Sequence, residues 1–224
     1  MRSIAISVDE HYHLCNRGAH KSLVFHDKRD YMRFLFLILF LQSPVNFANI
    51  SRHVEQFVQH SVFNIDKTVL TELCKTRYIE LVAFCLMPNH FHLVVKEVEE
   101  HGIPRYMQRV LNAYTKYYNT KYETSGHLFQ GPYRAVHVEH NDQLLYLSTY
   151  IHRNPRELRA WKGTYAMYPY SSYQDFVDHN RWKKILMPDI ILEQFNNKTA
   201  YAKFTRESSA KMRVEELGDI FLEI

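Results

Sequence analysis

Hydrophobic periodicity points to an α+β domain, an antiparallel sheet with helices packed on one face. Two apolar, β-prone runs, Tyr78–Leu86 (YIELVAFCL) and His90–Lys96 (HFHLVVK), are separated only by Met87-Pro88-Asn89, which makes them a hairpin of buried strands. The run Tyr31–Gln42 (YMRFLFLILFLQ) is apolar around most of a helix, so it must lie against a sheet. Strand-like and helix-like segments follow one another as β, α, β, β, α, β, the order of the ferredoxin-like split.

Taken in order, His11–Asn16 (HYHLCN) reads as a strand closed by Arg17-Gly18. Asp27 caps the first helix, which stops before Ser43-Pro44. Phe47, Ile50, Val54, Phe57, Val58 and Phe63 recur near helical spacing, so residues 43–77 form an insertion of one or two helices. After the hairpin, Pro104 opens a long helix to about Tyr122. Ser125-Gly126 to Gly131-Pro132 is a loop and Tyr133–Glu139 another strand. Asn141 or Asp142 caps a helix running to about His152, stopped by Asn154-Pro155. Trp161–Tyr173 is irregular, and a helical tail follows, with Gly218 as a break. Residues 1–188 are therefore read as one domain carrying the 43–77 insertion, and 189–224 as a C-terminal helical tail.

Composition narrows the function. With 46% hydrophobic and 23% charged residues in a chain of 224, disorder as the main state is excluded. Three cysteines without a CxxC pair indicate a reducing compartment. There is no signal-peptide run, and the longest apolar stretch, Phe34–Leu41, is too short to span a bilayer, so a cytoplasmic protein with no membrane partner is expected. Residues 101–170 hold nine Lys/Arg against four acids, and 11 of the 16 tyrosines. That pattern suits a polyanion that also offers bases to stack on, although solvated helix faces and core tyrosines produce it too.

Two constellations carry chemistry. His90 and His92 alternate with Phe91 along a strand, so both imidazoles face the same way, as paired metal ligands do. His11-Tyr12-His13 has the same spacing, so spacing alone does not choose between the pairs. Tyr150 and Asn154 lie four apart on one helix face, with Tyr146 a turn earlier. A tyrosine on a firm mount suits attack on a phosphodiester, and an amide oxygen one turn away can complete a His-His-Asn metal site. Tyr114, Tyr117 and Tyr118 are rival nucleophiles.

Four segments together, YHLCNRG (12–18), AFCLMPNHFHLVV (83–95), GHLFQGPY (126–133) and YIHRNP (150–155), resemble the REP-associated tyrosine transposases, a branch of the HUH single-strand transposases. The resemblance spans about residues 12–176. It implies that His90, His92 and Asn154 hold a divalent metal, Mg²⁺ or Mn²⁺, that Tyr150 is the nucleophile, and that the N-terminal HYH is a decoy. It further implies nicking and rejoining of single-stranded or hairpin DNA, including REP-like sequences, through a 5′-phosphotyrosine link. Such enzymes work as a homodimer sharing sites in trans or as a monomer in cis.

The basic centre then supplies candidate DNA contacts. Arg105, Arg109 and Lys116 share a helix stripe for phosphates, Phe129, Gln130, Tyr133 and Arg134 sit in or beside the glycine-bounded loop, and Arg153 and Arg156 flank the end of the tyrosine helix. The insertion is open to three readings, a helical cover, a dimer contact or a DNA-specificity element, and the acidic tail to two, a lid or a packed terminus. Two other functions use the same residues: a hairpin-binding module without turnover, and a water-using phosphodiesterase in which Tyr150 is structural.

Overall fold

The computed structural model describes residues 5–208. In chain order the elements are β1 (His11–Arg17), α1 (Lys28–Phe40), α2 (Ile50–His60), α3 (Lys67–Lys75), β2 (Ile79–Met87), β3 (His90–Glu97), α4 (Gly102–Tyr122), β4 (Arg134–His137), α5 (Asn141–Arg153), α6 (Tyr173–Val177), α7 (Asp189–Leu192) and α8 (Lys198–Glu207), with short 3₁₀ turns between. Among the described residues the strands form a four-stranded antiparallel sheet in the order β2-β3-β1-β4.

The two-residue alternation of the strands divides the core. Leu14, Phe84, Phe91 and Leu93 face α1 and α4, while Ala83, Cys85 and Val94 face Leu147 and Ile151 of α5. The two helices of the ferredoxin-like core thus lie together on one face, as expected. α5, which follows that core, covers the other face. The central strands are buried along both faces, so one layer of helices cannot shield them.

α1 starts as its sequence predicts, with the Asp27 carboxylate accepting from Asp30 N at 3.0 Å. The insertion packs on the outer side of α1. Phe36 meets Phe47, His53 and Phe63 at ring distances of 5.5, 5.4 and 5.2 Å, and Phe57 stacks on Trp182.

α4 begins at Gly102, two residues before Pro104. The buried Glu97 carboxylate at the end of β3 accepts from Gly102 N (2.8 Å) and Ile103 N (2.6 Å), satisfying two orphan donors of the first turn. Gly102 also lies against the Tyr78 carbonyl, where a Cβ would collide. α5 is capped by His140, and Asn141 and Asp142 are its first residues. Gln143 Oε1 reaches back to accept from Glu139 N at 2.8 Å.

The tail through residue 207 is docked. Tyr201 of α8 is fully buried against α5 and α6. The Gly218 break lies outside the described residues. No helix among the described residues is long and apolar enough to cross a membrane.

Candidate active site

The register of the sheet builds the site from distant segments. On β3, His90 and His92 point away from α1 and α4. Arg17 of β1 lies opposite His90, and Cys15 opposite His92. From the other side, Met87 and Cys85 of β2 complete the surface. α5 packs over this surface and brings in Tyr150 and Asn154. The His90 and His92 rings are 5.0 Å apart in a T-shaped arrangement, and Tyr150 lies edge-on to His92 at 5.6 Å. Asn154 ends α5, and its Oδ1 is 3.3 Å from His90 Nε2. The four residues expected to act together, His90, His92, Tyr150 and Asn154, are therefore neighbours, all less than a tenth exposed.

His90 has one proton and two oxygen neighbours. Its Nδ1 is 2.7 Å from Asn89 Oδ1, and its Nε2 faces Asn154 Oδ1. Burial pushes this imidazole down to about 4, and the nearby Arg17 charge acts in the same direction, while the Asn154 hydrogen bond and Glu157 oppose it. Neutral His90 donates to only one of these oxygens. When Nδ1–H donates to Asn89, a nitrogen lone pair and an amide oxygen face each other at the second contact. The Asn154 amide nitrogen is itself buried, with no hydrogen-bond partner among the described residues. Two facing lone pairs on uncharged N and O donors suit a divalent cation, which the residues present accordingly fit.

The N-terminal HYH, a decoy by the resemblance, is divided between two places. His11 sits at the far end of β1 opposite Lys96, but His13 Nε2 lies 2.9 Å from His92 Nδ1, with the two rings stacked at 5.1 Å. Cys15, on the same face, joins them, and one ligand atom from each of the three residues lies within 4.8 Å of the others. Burial pushes the Cys15 thiol up to about 12, against the opposing charge of Arg134. His13, Cys15 and Arg17 escape sequence reasoning because only the β1–β3 register brings them beside the histidine pair. The repeated His-x-His spacing was the sole local signal.

The rival tyrosines are on the opposite side of the sheet. Tyr114 donates to Val24 O (2.6 Å), Tyr117 to Asp30 (2.9 Å), and Tyr118 pairs with His26 (2.8 Å).

The expected DNA contacts separate into several kinds. Phe129 is core, packed edge-on to Phe91 at 5.9 Å, so its ring is not free for a base. Arg109 donates to Ser43 O, to Val45 O (2.8 Å) and to Asn46 Oδ1 (3.2 Å), fastening the start of the insertion. Arg105 pairs with Glu99 (2.9 Å) and lies over the Tyr78 ring. Arg153 donates to Ser208 O, and Tyr133 is half-buried against the α1–α4 core. Lys116, Gln130, Arg134 and Arg156 are exposed. Arg134 lies opposite Cys15 in the β1–β4 register, hence on the histidine face. Lys116 edges a groove of about 610 Å³ between α4 and the 127–132 loop.

Comparison with known proteins gives the family and the fold. No curated protein matches the chain. The solved structure of a REP-associated tyrosine transposase bound to a REP hairpin is similar in fold, with a TM-score of 0.50 over 79% of this chain and 84% of that one, at 12% identity. The model of the family described as IS200-like transposase matches residues 42–154, from just before the insertion to the asparagine that meets His90. That match covers just over half of the 224 residues, and by it the chain belongs to the IS200-like transposase family.

Proposed function

We propose that the protein nicks and rejoins single-stranded DNA at hairpin, REP-like sequences through a 5′-phosphotyrosine intermediate, with a divalent metal held by His90, His92 and Asn154. The observation that carries this reading is His90 set between two amide oxygens and next to His92, whose ring Tyr150 meets edge-on, a donor arrangement without purpose in a DNA-binding module. Mg²⁺ and Mn²⁺ are the candidate ions, the two imidazoles favouring Mn²⁺. When bound, the ion polarises the scissile phosphate and offsets developing negative charge.

The chain's own residues do the rest. α5 holds Tyr150 rigidly through its buried face, so the phenol meets the phosphate at fixed orientation. Its oxygen bonds to phosphorus, the phenolic proton leaves, and the P–O3′ bond breaks to give a protonated 3′-OH. A second 3′-OH reverses the exchange and rejoins the strands. Each step trades one phosphodiester for another, so no nucleotide cofactor is required. In this reading exposed Arg134 and Arg156 hold the strand by its phosphates, and exposed Lys116 and Gln130 meet the hairpin.

The test is adduct formation. Labelled single-stranded hairpins and Mn²⁺ should yield a DNA-linked protein band on a denaturing gel, absent in Tyr150→Phe and in His90→Ala. Hairpin binding without any adduct would instead identify a recognition module, and a band surviving Tyr150→Phe would move the nucleophile elsewhere.

A further inference from the structure

His92 has two ring nitrogens, and its Nδ1 faces His13 Nε2. His13 and Cys15 lie two apart on β1, so they share a face, and Cys15 is the direct cross-strand partner of His92. All three side chains are buried at 1% exposure or less, Cys15 is a free thiol, and two imidazole nitrogens and one sulfur converge within 4.8 Å. Two nitrogens and a thiolate select ions of the zinc class over Mg²⁺, Mn²⁺ or Ca²⁺. A tetrahedral ion spans facing nitrogens by about 3.3 Å at ordinary Zn–N lengths. The 2.9 Å His13–His92 separation therefore needs to open by only a few tenths of an ångström.

We propose that His13, Cys15 and His92 form a second metal site, selective for a thiophilic divalent ion, whose occupancy withdraws His92 from the site at His90. The second half of this inference rests on the reading of His92 as a ligand in the proposed function. A neutral imidazole has one lone pair on nitrogen and one N–H. For His92 to present Nδ1 to an ion beside Cys15, its proton must sit on Nε2. That nitrogen then has no lone pair for an ion beside His90 and Asn154. Binding releases the Cys15 thiol proton to solvent, and the proton shared between the two rings moves to an outer ring nitrogen. No electron is transferred. The two ions are mutually exclusive, and a zinc-class ion acts as an off-state for the strand-transfer site.

The probe is Co²⁺ added to the metal-free, full-length protein. A near-ultraviolet thiolate-to-cobalt charge-transfer band is expected in the native chain, in Cys85→Ser and in His90→Ala. Loss of the band is expected in Cys15→Ser and His13→Ala. Absence of the band in the native chain, or its persistence in Cys15→Ser, overturns the site. Because these variants remove buried side chains, zinc X-ray absorption on the native protein gives an answer that needs no variant. One sulfur at about 2.3 Å supports the site, and a shell of nitrogen and oxygen alone overturns it. The exclusivity is read separately by Mn²⁺ electron paramagnetic resonance. One equivalent of Zn²⁺ should release bound Mn²⁺ from the native protein as zinc takes up its sulfur ligand, and Mn²⁺ retained beside a sulfur-bound zinc overturns the exclusivity. A cobalt band in a protein that never binds Mn²⁺ would leave the second site standing and bring down the proposed function instead.

Discussion

Tyr201 Oη lies 2.7 Å from His152 Nδ1 and donates to Ser148 Oγ at 3.0 Å, so α8 is fastened to the helix that carries Tyr150. On the other side of the imidazole, His152 Nε2 is 2.9 Å from Ser172 Oγ, which also accepts from Phe84 N of β2. A single buried histidine thereby joins α8, α5 and the sheet. Removing the Tyr201 hydroxyl leaves a buried imidazole N–H unpaired. Tyr201→Phe should lower stability by about 1–3 kcal/mol in urea unfolding. If the measured loss is negligible, the link contributes nothing to holding α5.

Burial also drives His152 down to about 3, and His90 to about 4, from an ordinary value of 6.5. In this range the unfolded chain binds protons that the folded chain does not. The stabilisation from each neutral histidine is therefore complete above pH 6.5 and falls as pH drops toward the folded value, by about 1.4 kcal/mol per pH unit for each group. The thermal midpoint, measured in chelator, should fall steadily from pH 7 to pH 5. His152→Gln should be less stable at pH 7 yet show a shallower acid decline. An acid limb as steep as that of the native chain would clear His152 of the effect.

Arg109 holds the loop that leads into α2. Arg109→Ala is expected to cost about 1–2 kcal/mol by loss of its bonds to the Ser43 and Val45 carbonyls. The salt dependence of DNA binding should be unchanged. A shallower salt slope with unaltered stability would make Arg109 a phosphate contact after all.

Lys116 is the opposite case, an exposed cation at the edge of a groove. Lys116→Ala should weaken single-stranded DNA of any sequence alike and reduce the slope of log K against log salt by about 0.7. Selective loss for one hairpin would point to base recognition.

What was legible in the sequence is what neighbouring residues decide. The β2–β3 hairpin, the Asp27 cap of α1 and the alternation that puts His90 and His92 on one face all depend on residues close along the chain. The surroundings of His13 and Arg109 were not legible because their partners are far away in sequence. His13 meets His92 only through the β1–β3 register, and Arg109 meets Ser43 only once the insertion folds over α1. The packing of Phe129 was hidden for a related reason. Its loop is pulled under the sheet edge, where Gln130 N donates to Arg17 O and Gly18 bridges to Phe129. An aromatic between glycines resembles a base-stacking residue until that bridge turns it inward.

The place of β1 in the sheet has a consequence for synthesis. This strand is made first, yet both its neighbours, β3 and β4, come much later in the chain. It therefore waits for a partner until the hairpin has emerged, and such long-range pairing is slow. The histidine face cannot meet Asn154 until most of the polypeptide has left the ribosome. The face that the proposed function uses is thus completed late in synthesis, and a nascent chain broken off before α5 lacks both Tyr150 and Asn154.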